Sequence, residues 1–157
     1  MLSPIGGASM VRVLLVANKT LGSGEVSEFV RNRMSEADCQ FTLLVPASPR
    51  SYRGATSGPP NVSEGVPPAH ELEDDYEHAR TRLEYGLGVL RGMGATADGD
   101  VGDPNPAKAI NEVLTRREFD EVALSTLPAG ISRWLRLDIP HQVERKFKIP
   151  VSVIKTR

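Results

Sequence analysis

The feature that most constrains this chain is a regular alternation between short valine-rich apolar runs and longer segments of helical periodicity. The first run, Val11–Ala17, is apolar at nearly every position, which indicates a strand buried on both faces of a sheet. Apolar residues then recur three or four positions apart, as on one face of an amphipathic helix: Val26, Phe29, Val30, Met34 and Ala37. A second run, Phe41–Val45, predicts a second strand. Two parallel strands joined by a helix form a βαβ unit with a right-handed crossover.

The alternation continues through the rest of the chain. A helical stripe extends from Leu72 to Met93, and residues 95–100 form a weak, polar strand candidate expected at a sheet edge. A turn at 102–106 then leads into a helix with its apolar residues facing inward, at Ala107, Ile110, Val113 and Leu114. Two strands follow, at 119–124 and 150–154. Between them lies a short helix with an N-cap at Asp138 and apolar residues at Ile139, Val143 and Phe147. This order predicts a three-layer α/β/α, Rossmann-like protein whose five-stranded parallel sheet has the order 3-2-1-4-5, in one domain over residues 1–157.

Composition and charge argue against several classes of function. With 19 basic and 20 acidic side chains the net charge is −1, so we expect neither nucleic acid nor a membrane surface as a partner. The first nine residues lack a basic region followed by a long apolar run, so the cytoplasm is the expected location. Cys39 is the only cysteine and is interpreted as a small buried residue at the start of a strand. The three histidines, His70, His78 and His141, have no ligand-like spacing, and no metal site is expected.

Residues 46–68 differ in composition from the rest of the chain. They contain six prolines and three glycines mixed with serines, which predicts a long, flexible surface loop. We interpret the segment as an inserted linker. The alternative is a lid or a partner-binding segment that carries Arg50, Tyr52 and Arg53.

The C-terminal half resembles the universal stress protein family. The turn that begins at Gly102 and the strand Phe119–Leu124 look like the third and fourth strands of that family with their connecting helix, and Phe147–Ile154 looks like its closing P-V-x-V strand. The order and spacing of elements extend the resemblance over Val11–Lys155. In a sheet of this order a ligand lies in the crevice between the carboxyl ends of the first and fourth strands, with walls at 17–24 and 125–138.

Members of that family that bind ATP carry a glycine-rich phosphate cradle after the fourth strand, with the pattern Gly-x2-Gly-x9-Gly-Ser/Thr. At those positions this chain has Ser125, Pro128, Asp138 and Ile139. Pro128 has no N–H to offer a phosphate, and Asp138 puts a negative charge at a helix start. ATP or AMP held in the usual family manner is therefore not expected, and no cofactor is required.

A reshaped crevice would still be able to bind a nucleotide or another small phosphorylated ligand through side chains. Arginine suits phosphate because its donors are paired. The alternative is that Arg133 and Arg136 are solvated or paired with Asp138 and Glu144. Trp134 is interpreted as a packing or interface anchor and not as a stacking platform for a base. The candidate ligand-binding residues on this side of the crevice are Ser125, Thr126, Ser132, Arg133 and Arg136.

The resemblance implies four further pocket positions. Ala17 and Asn18 follow the first strand, where the family often has an aspartate beside the adenine or ribose. Val45 ends the second strand, and its backbone matches a position that meets an adenine edge. Gly102 matches the glycine that lets a ligand lie close to the third strand.

Three functions are consistent with these residues. The first is a non-enzymatic stress-response or regulatory protein that binds a ligand at the crevice and forms a homodimer through the C-terminal strand, where Val151, Val153 and Ile154 offer an apolar edge. The second is a nucleotide hydrolase or transferase of the adenine-nucleotide-binding superfamily, which needs a metal anchor or a positioned nucleophile. The third is a ligand-free interaction module that uses the proline-rich loop. No catalytic residue is assigned, since the chain has no Gly-x-Ser-x-Gly elbow.

Overall fold

The computed structural model describes residues 10–17, 20, 23–47, 69–126 and 134–155. Most of the predicted loop, residues 48–68, lies outside this part of the chain. The loop prediction is wrong for its first two residues. Pro46 is the last residue of a strand, and Ala47 is fully buried and donates its N–H to the Gly102 carbonyl at 3.0 Å. Proline is tolerated at this strand end because the next residue takes over the hydrogen bonding to the neighbouring strand.

All five strands lie parallel in one sheet of order β3-β2-β1-β4-β5. They are β1 (Val11–Ala17), β2 (Cys39–Pro46), β3 (Thr96–Gly102), β4 (Glu121–Thr126) and β5 (Val151–Lys155). The most apolar run lies at the centre of the sheet and the polar β3 lies at an edge. The predicted architecture, strand order and edge position of β3 are confirmed.

Four helices connect the described strands: α1 (Gly24–Glu36), α2 (Ala69–Gly92), α3 (Pro106–Arg116) and α4 (Ile139–Phe147). Side-chain caps begin two of them. The Ser23 hydroxyl accepts from the Val26 N–H at 3.2 Å, and the Asn105 side-chain oxygen accepts from the Ala107 N–H at 3.0 Å. No helix in the described part of the chain is long and apolar enough to cross a bilayer.

Asp138 occupies the N-cap position of α4 but does not cap the helix. Its backbone is left-handed, with φ 58° and ψ 31°, and its side chain makes no capping hydrogen bond. A capping side chain reaches the first N–H groups from extended backbone, and Asp138 lacks that conformation. Its carboxylate instead lies 3.7 Å from His141 Nδ1. The predicted position is therefore confirmed, whereas the predicted capping role is wrong.

Each face of the sheet buries its own apolar core under two helices. Along β1, Val13 and Leu15 pack towards α1 and α2, whereas Leu14 and Val16 pack towards α3 and α4. Successive strand side chains point to opposite faces, so a strand covered on both faces must be apolar throughout. Trp134 is 7% exposed and belongs to the second core, which confirms its packing role.

The boundaries of β3 and β4 differ from the predicted ones. β3 continues to Gly102, which the sequence placed in a turn, and β4 begins at Glu121 instead of Phe119. Phe119 is buried in the core and its ring lies 5.3 Å from the Arg117 guanidinium. Its apolar character therefore reflects side-chain packing before the strand, and not pairing within the sheet.

Candidate functional site

The candidate site lies at the carboxyl ends of β1 and β4, where the strand order reverses. The chain after β1 runs to α1 on one face of the sheet, and the chain after β4 leads to α4 on the other. In a doubly wound sheet the ligand crevice lies at such a reversal of strand order. Ala17 and Ser125 are register partners at this end of the two strands. The structure thus brings together one predicted residue from each wall.

A buried pair of hydroxyl groups links the two walls. The Thr20 and Ser125 hydroxyl oxygens are 2.8 Å apart, and these residues are 3% and 0% exposed. Buried hydroxyls are costly unless they are hydrogen-bonded, so each group satisfies the other. The pair ties the first residues after β1 to the end of β4.

The hydroxyl pair retains capacity for a further partner. A hydroxyl has one proton to donate and two lone pairs to accept with, and the Thr20–Ser125 bond uses only one of the two protons. Thr20 was not among the predicted site residues. A polar residue three positions after a buried strand, with a serine at the end of the neighbouring strand, is the signal that could have found it.

Three predicted residues besides Ser125 lie at the carboxyl end of the sheet. Ala17 and Val45 are fully buried, and both belong to the core under α1 and α2. Their side chains are occupied by packing. Gly102 pairs in register with Pro46, and two strands, β2 and β1, separate it from Ser125 on β4. A methyl group at Gly102 would lie 2.8 Å from the Ala109 Cβ, so helix packing already explains this glycine.

The remaining predicted residues are only partly placed. Thr126 is the last residue of β4 and is the register partner of Lys155. Arg136 is exposed and lies in the helical turn that follows Trp134. Asn18, Ser132 and Arg133 lie outside the described residues.

The residues placed above at the carboxyl ends of the strands carry no charge: they are Ala17, Thr20, Val45, Gly102 and Ser125. The charged residues among the described parts of the predicted walls are Arg136 and Asp138. Attraction for a phosphate therefore depends on Arg136 or on the chain outside the described ranges. Asp103, which follows β3, is paired with Lys108 at 3.3 Å. Within the described residues, no group of three or more histidine, cysteine, aspartate or glutamate side chains is placed to hold a metal ion.

A second polar cluster, at the opposite end of the sheet, has a structural role. Arg33 of α1 donates twice to Glu121 of β4, from Nε at 2.9 Å and from Nη2 at 3.0 Å. The Cys39 thiol is buried beside this pair and donates to the Arg33 carbonyl at 3.5 Å. Burial raises the pKa of the Cys39 thiol, and the Glu121 charge adds to the effect. The interpretation of Cys39 as a buried residue at a strand start is confirmed.

Comparison with solved structures finds the same fold elsewhere. A universal stress protein family protein from Arabidopsis thaliana with AMP bound is 13% identical, with a TM-score of 0.54 over 94% of this chain and 92% of that one. The hypothetical protein MJ0577 is 15% identical, with a TM-score of 0.59 over 94% and 98%. The hypothetical protein PH0823 is 19% identical, with a TM-score of 0.52 over 92% and 96%. No family model and no curated protein matches the sequence.

These comparisons define the class of protein by its fold. The chain has the α/β fold of a universal stress protein. The solved structures match it over more than nine-tenths of both chains, and its parallel sheet has the order β3-β2-β1-β4-β5. The resemblance drawn from the sequence is confirmed at that level. At identities of 13–19%, the likeness shows fold and leaves the ligand to be argued from the site.

Proposed function

We propose that this is a universal stress protein-like, non-enzymatic regulatory or stress-response protein of the cytoplasm, which binds a nucleotide or another phosphorylated ligand in the crevice between β1 and β4. The observation that carries the proposal is the buried Thr20–Ser125 hydroxyl pair at the point where the strand order reverses. Ligands of doubly wound sheets bind at this point. A structure of the same fold holds AMP, which supports an adenine nucleotide as the first ligand to test.

The manner of binding would differ from a glycine cradle. Ser125 and Pro128 stand where the cradle glycines would be, so backbone N–H groups contribute less. A hydroxyl proton from the Thr20–Ser125 pair and the guanidinium groups of Arg133 and Arg136 would supply the donors instead. Such a site favours a ligand whose oxygens reach both walls of the crevice.

The test is native mass spectrometry of the purified protein, followed by calorimetric titration with AMP, ATP and adenosine. We expect a bound adenine nucleotide, and an affinity that falls about tenfold in Ser125→Ala and in Arg136→Ala, since each loses about one hydrogen bond to the ligand. Thr115→Val is the matched control, because the exposed Thr115 hydroxyl donates within its own helix, to the Asn111 carbonyl at 2.7 Å. A protein that carries no nucleotide and ignores all three compounds would refute the binding proposal. Nucleotide turnover above a buffer control, abolished by Arg133→Ala, would refute the non-enzymatic part.

The proposal includes a homodimer formed through β5. This strand is an edge of the sheet, and edges present unpaired backbone groups to a second chain. Val151 and Val153 are half-buried, whereas Ile154 is 8% exposed and belongs to the core, so the expectation that Ile154 contributes to the apolar edge is wrong. Sedimentation over a concentration series should show a dimer, and Val153→Pro, which removes a backbone donor, should shift it to monomer.

A further inference from the structure

The outward-facing groups of β5 can be identified from its pairing with β4. The Val122 N–H donates to the Pro150 carbonyl at 3.0 Å, and Val122 is the register partner of Val151. Backbone groups alternate in direction along a strand, so Pro150, Ser152 and Ile154 point towards β4. The N–H and C=O groups of Val151, Val153 and Lys155 therefore face away from the sheet. A second strand would have to pair with this row.

One member of that row already has a partner within the same chain. The Glu144 carboxylate, from α4, accepts a hydrogen bond from the Val151 N–H at 3.2 Å. Glu144 is an exposed side chain of the helix that precedes β5. Because the bond lies at the surface and joins an exposed side chain to one backbone group, it can be given up at small cost.

The other sheet edge is covered more firmly. On β3, the outward Ala97 carbonyl accepts two hydrogen bonds from Arg91, at 3.2 Å from Nε and 2.8 Å from Nη2. The strand also carries Asp98 and Asp100, and Arg117 lies 3.3 Å from Asp98. Charged side chains and a two-pronged cap are ways in which edge strands avoid pairing. This leaves β5 as the edge that can accept a second copy of the chain.

We propose that Glu144 is a displaceable guard on the β5 edge, which competes with a second copy of the chain for the Val151 N–H. The inference rests on the β5 dimer of the proposed function. In an antiparallel pairing centred on Val153, residue 151 of one protomer lies opposite the partner's Lys155, and the Val151 N–H donates to the carbonyl there. Glu144 must release that N–H in both protomers before the pairing is complete. The guard therefore weakens self-association and protects the edge of the single chain.

The test compares the dimer dissociation constant of the wild-type chain with those of three variants by sedimentation over a concentration series. Glu144→Ala removes the competitor, and we expect about tenfold tighter dimerisation, because neither of the two protomers then gives up a weak surface hydrogen bond on pairing. Glu144→Gln keeps an acceptor at the same place and should stay near the wild-type value. Glu112→Ala, on exposed α3 surface, makes the same charge change elsewhere and should have no effect.

The outcomes separate the guard from the dimer itself. If the wild type dimerises and Glu144→Ala leaves its dissociation constant unchanged or higher, the guard is refuted and the dimer stands. Tightening by Glu144→Gln as large as that by Glu144→Ala would also refute the guard. Loss of the Glu144 charge, and not loss of the competing acceptor, would then explain the tighter dimer. If both the wild type and Glu144→Ala stay monomeric at millimolar concentration, the β5 dimer of the proposed function fails and the guard fails with it. Faster amide exchange at Val151 in monomeric Glu144→Ala would report the lost hydrogen bond independently of assembly.

Discussion

Gly99 allows β3 to lie close against both its neighbouring strand and α2. A methyl group at this position would be 2.5 Å from the Leu43 carbonyl oxygen and 2.6 Å from the Leu83 Cδ1 atom. The Leu83 side chain can rotate away. The Leu43 carbonyl cannot move freely, because it belongs to the backbone of β2 in the middle of the sheet. Gly99→Ala must therefore displace the edge strand.

The expected loss of unfolding free energy in Gly99→Ala is about 2–3 kcal/mol, the upper part of the usual range for overpacking. Gly88→Ala, on the exposed side of α2, provides the opposite case. A methyl group there meets nothing within 4 Å, so the helix gains alanine's propensity, about 0.5–1 kcal/mol. The same substitution should thus destabilise at one site and stabilise at the other.

Urea unfolding followed by far-ultraviolet circular dichroism measures both effects. The two variants should have the wild-type denaturant slope, so that their midpoints report stability alone. A Gly99→Ala variant within 0.5 kcal/mol of the wild type would show that β3 can move away from Leu43 without loss. That result would contradict the close packing argued for this edge.

Three further outcomes follow from the polar groups. Thr20→Val should lower the free energy of unfolding in urea by about 1–2 kcal/mol, because the Ser125 hydroxyl loses its hydrogen bond. The double variant with Ser125→Ala should lose less than the sum of the two single variants, and additive losses would contradict the pairing. Cys39 should react slowly with iodoacetamide in the native protein and rapidly in urea. Because the folded thiol stays neutral while the unfolded thiol ionises, stability should fall as pH rises above about 8.5, and Cys39→Ala should reduce this slope; an unchanged slope would contradict the burial argument. Arg33→Met should lower stability by about 1–2 kcal/mol, since Glu121 loses its two-pronged partner; a melting temperature equal to that of the wild type would contradict this.

The two edges of the sheet illustrate how a chain of this fold controls its contacts. At each edge, a side chain from the helix that precedes the strand bonds one outward backbone group. Arg91 of α2 bonds the Ala97 carbonyl of β3, and Glu144 of α4 bonds the Val151 N–H of β5. The arginine offers two donors to one carbonyl, whereas the glutamate offers a single exposed acceptor. The β3 edge is therefore the more firmly capped of the two, which is the asymmetry from which the proposed pairing through β5 is argued.

The sequence by itself determined the architecture, because burial imposes a pattern that can be recognised in one dimension. Val11–Ala17 is apolar on both faces, which is possible only for a strand covered by helices on both sides. The polar composition of residues 95–100 likewise identified an edge strand. The alternation of elements and the handedness of the crossovers then left few arrangements of the sheet.

Only the tertiary structure decided which polar side chains meet. Thr20 and Ser125 are 105 positions apart, and the Arg33–Glu121 pair spans 88. Periodicity states which face a side chain occupies, but the partner across an interface depends on strand register and on the path of each connection. The same holds for Gly99, whose close neighbours come from β2 and α2, and for Asp138, whose left-handed backbone is set by the turn before α4. Local signals act within a few residues, whereas these contacts exist only after the layers have packed.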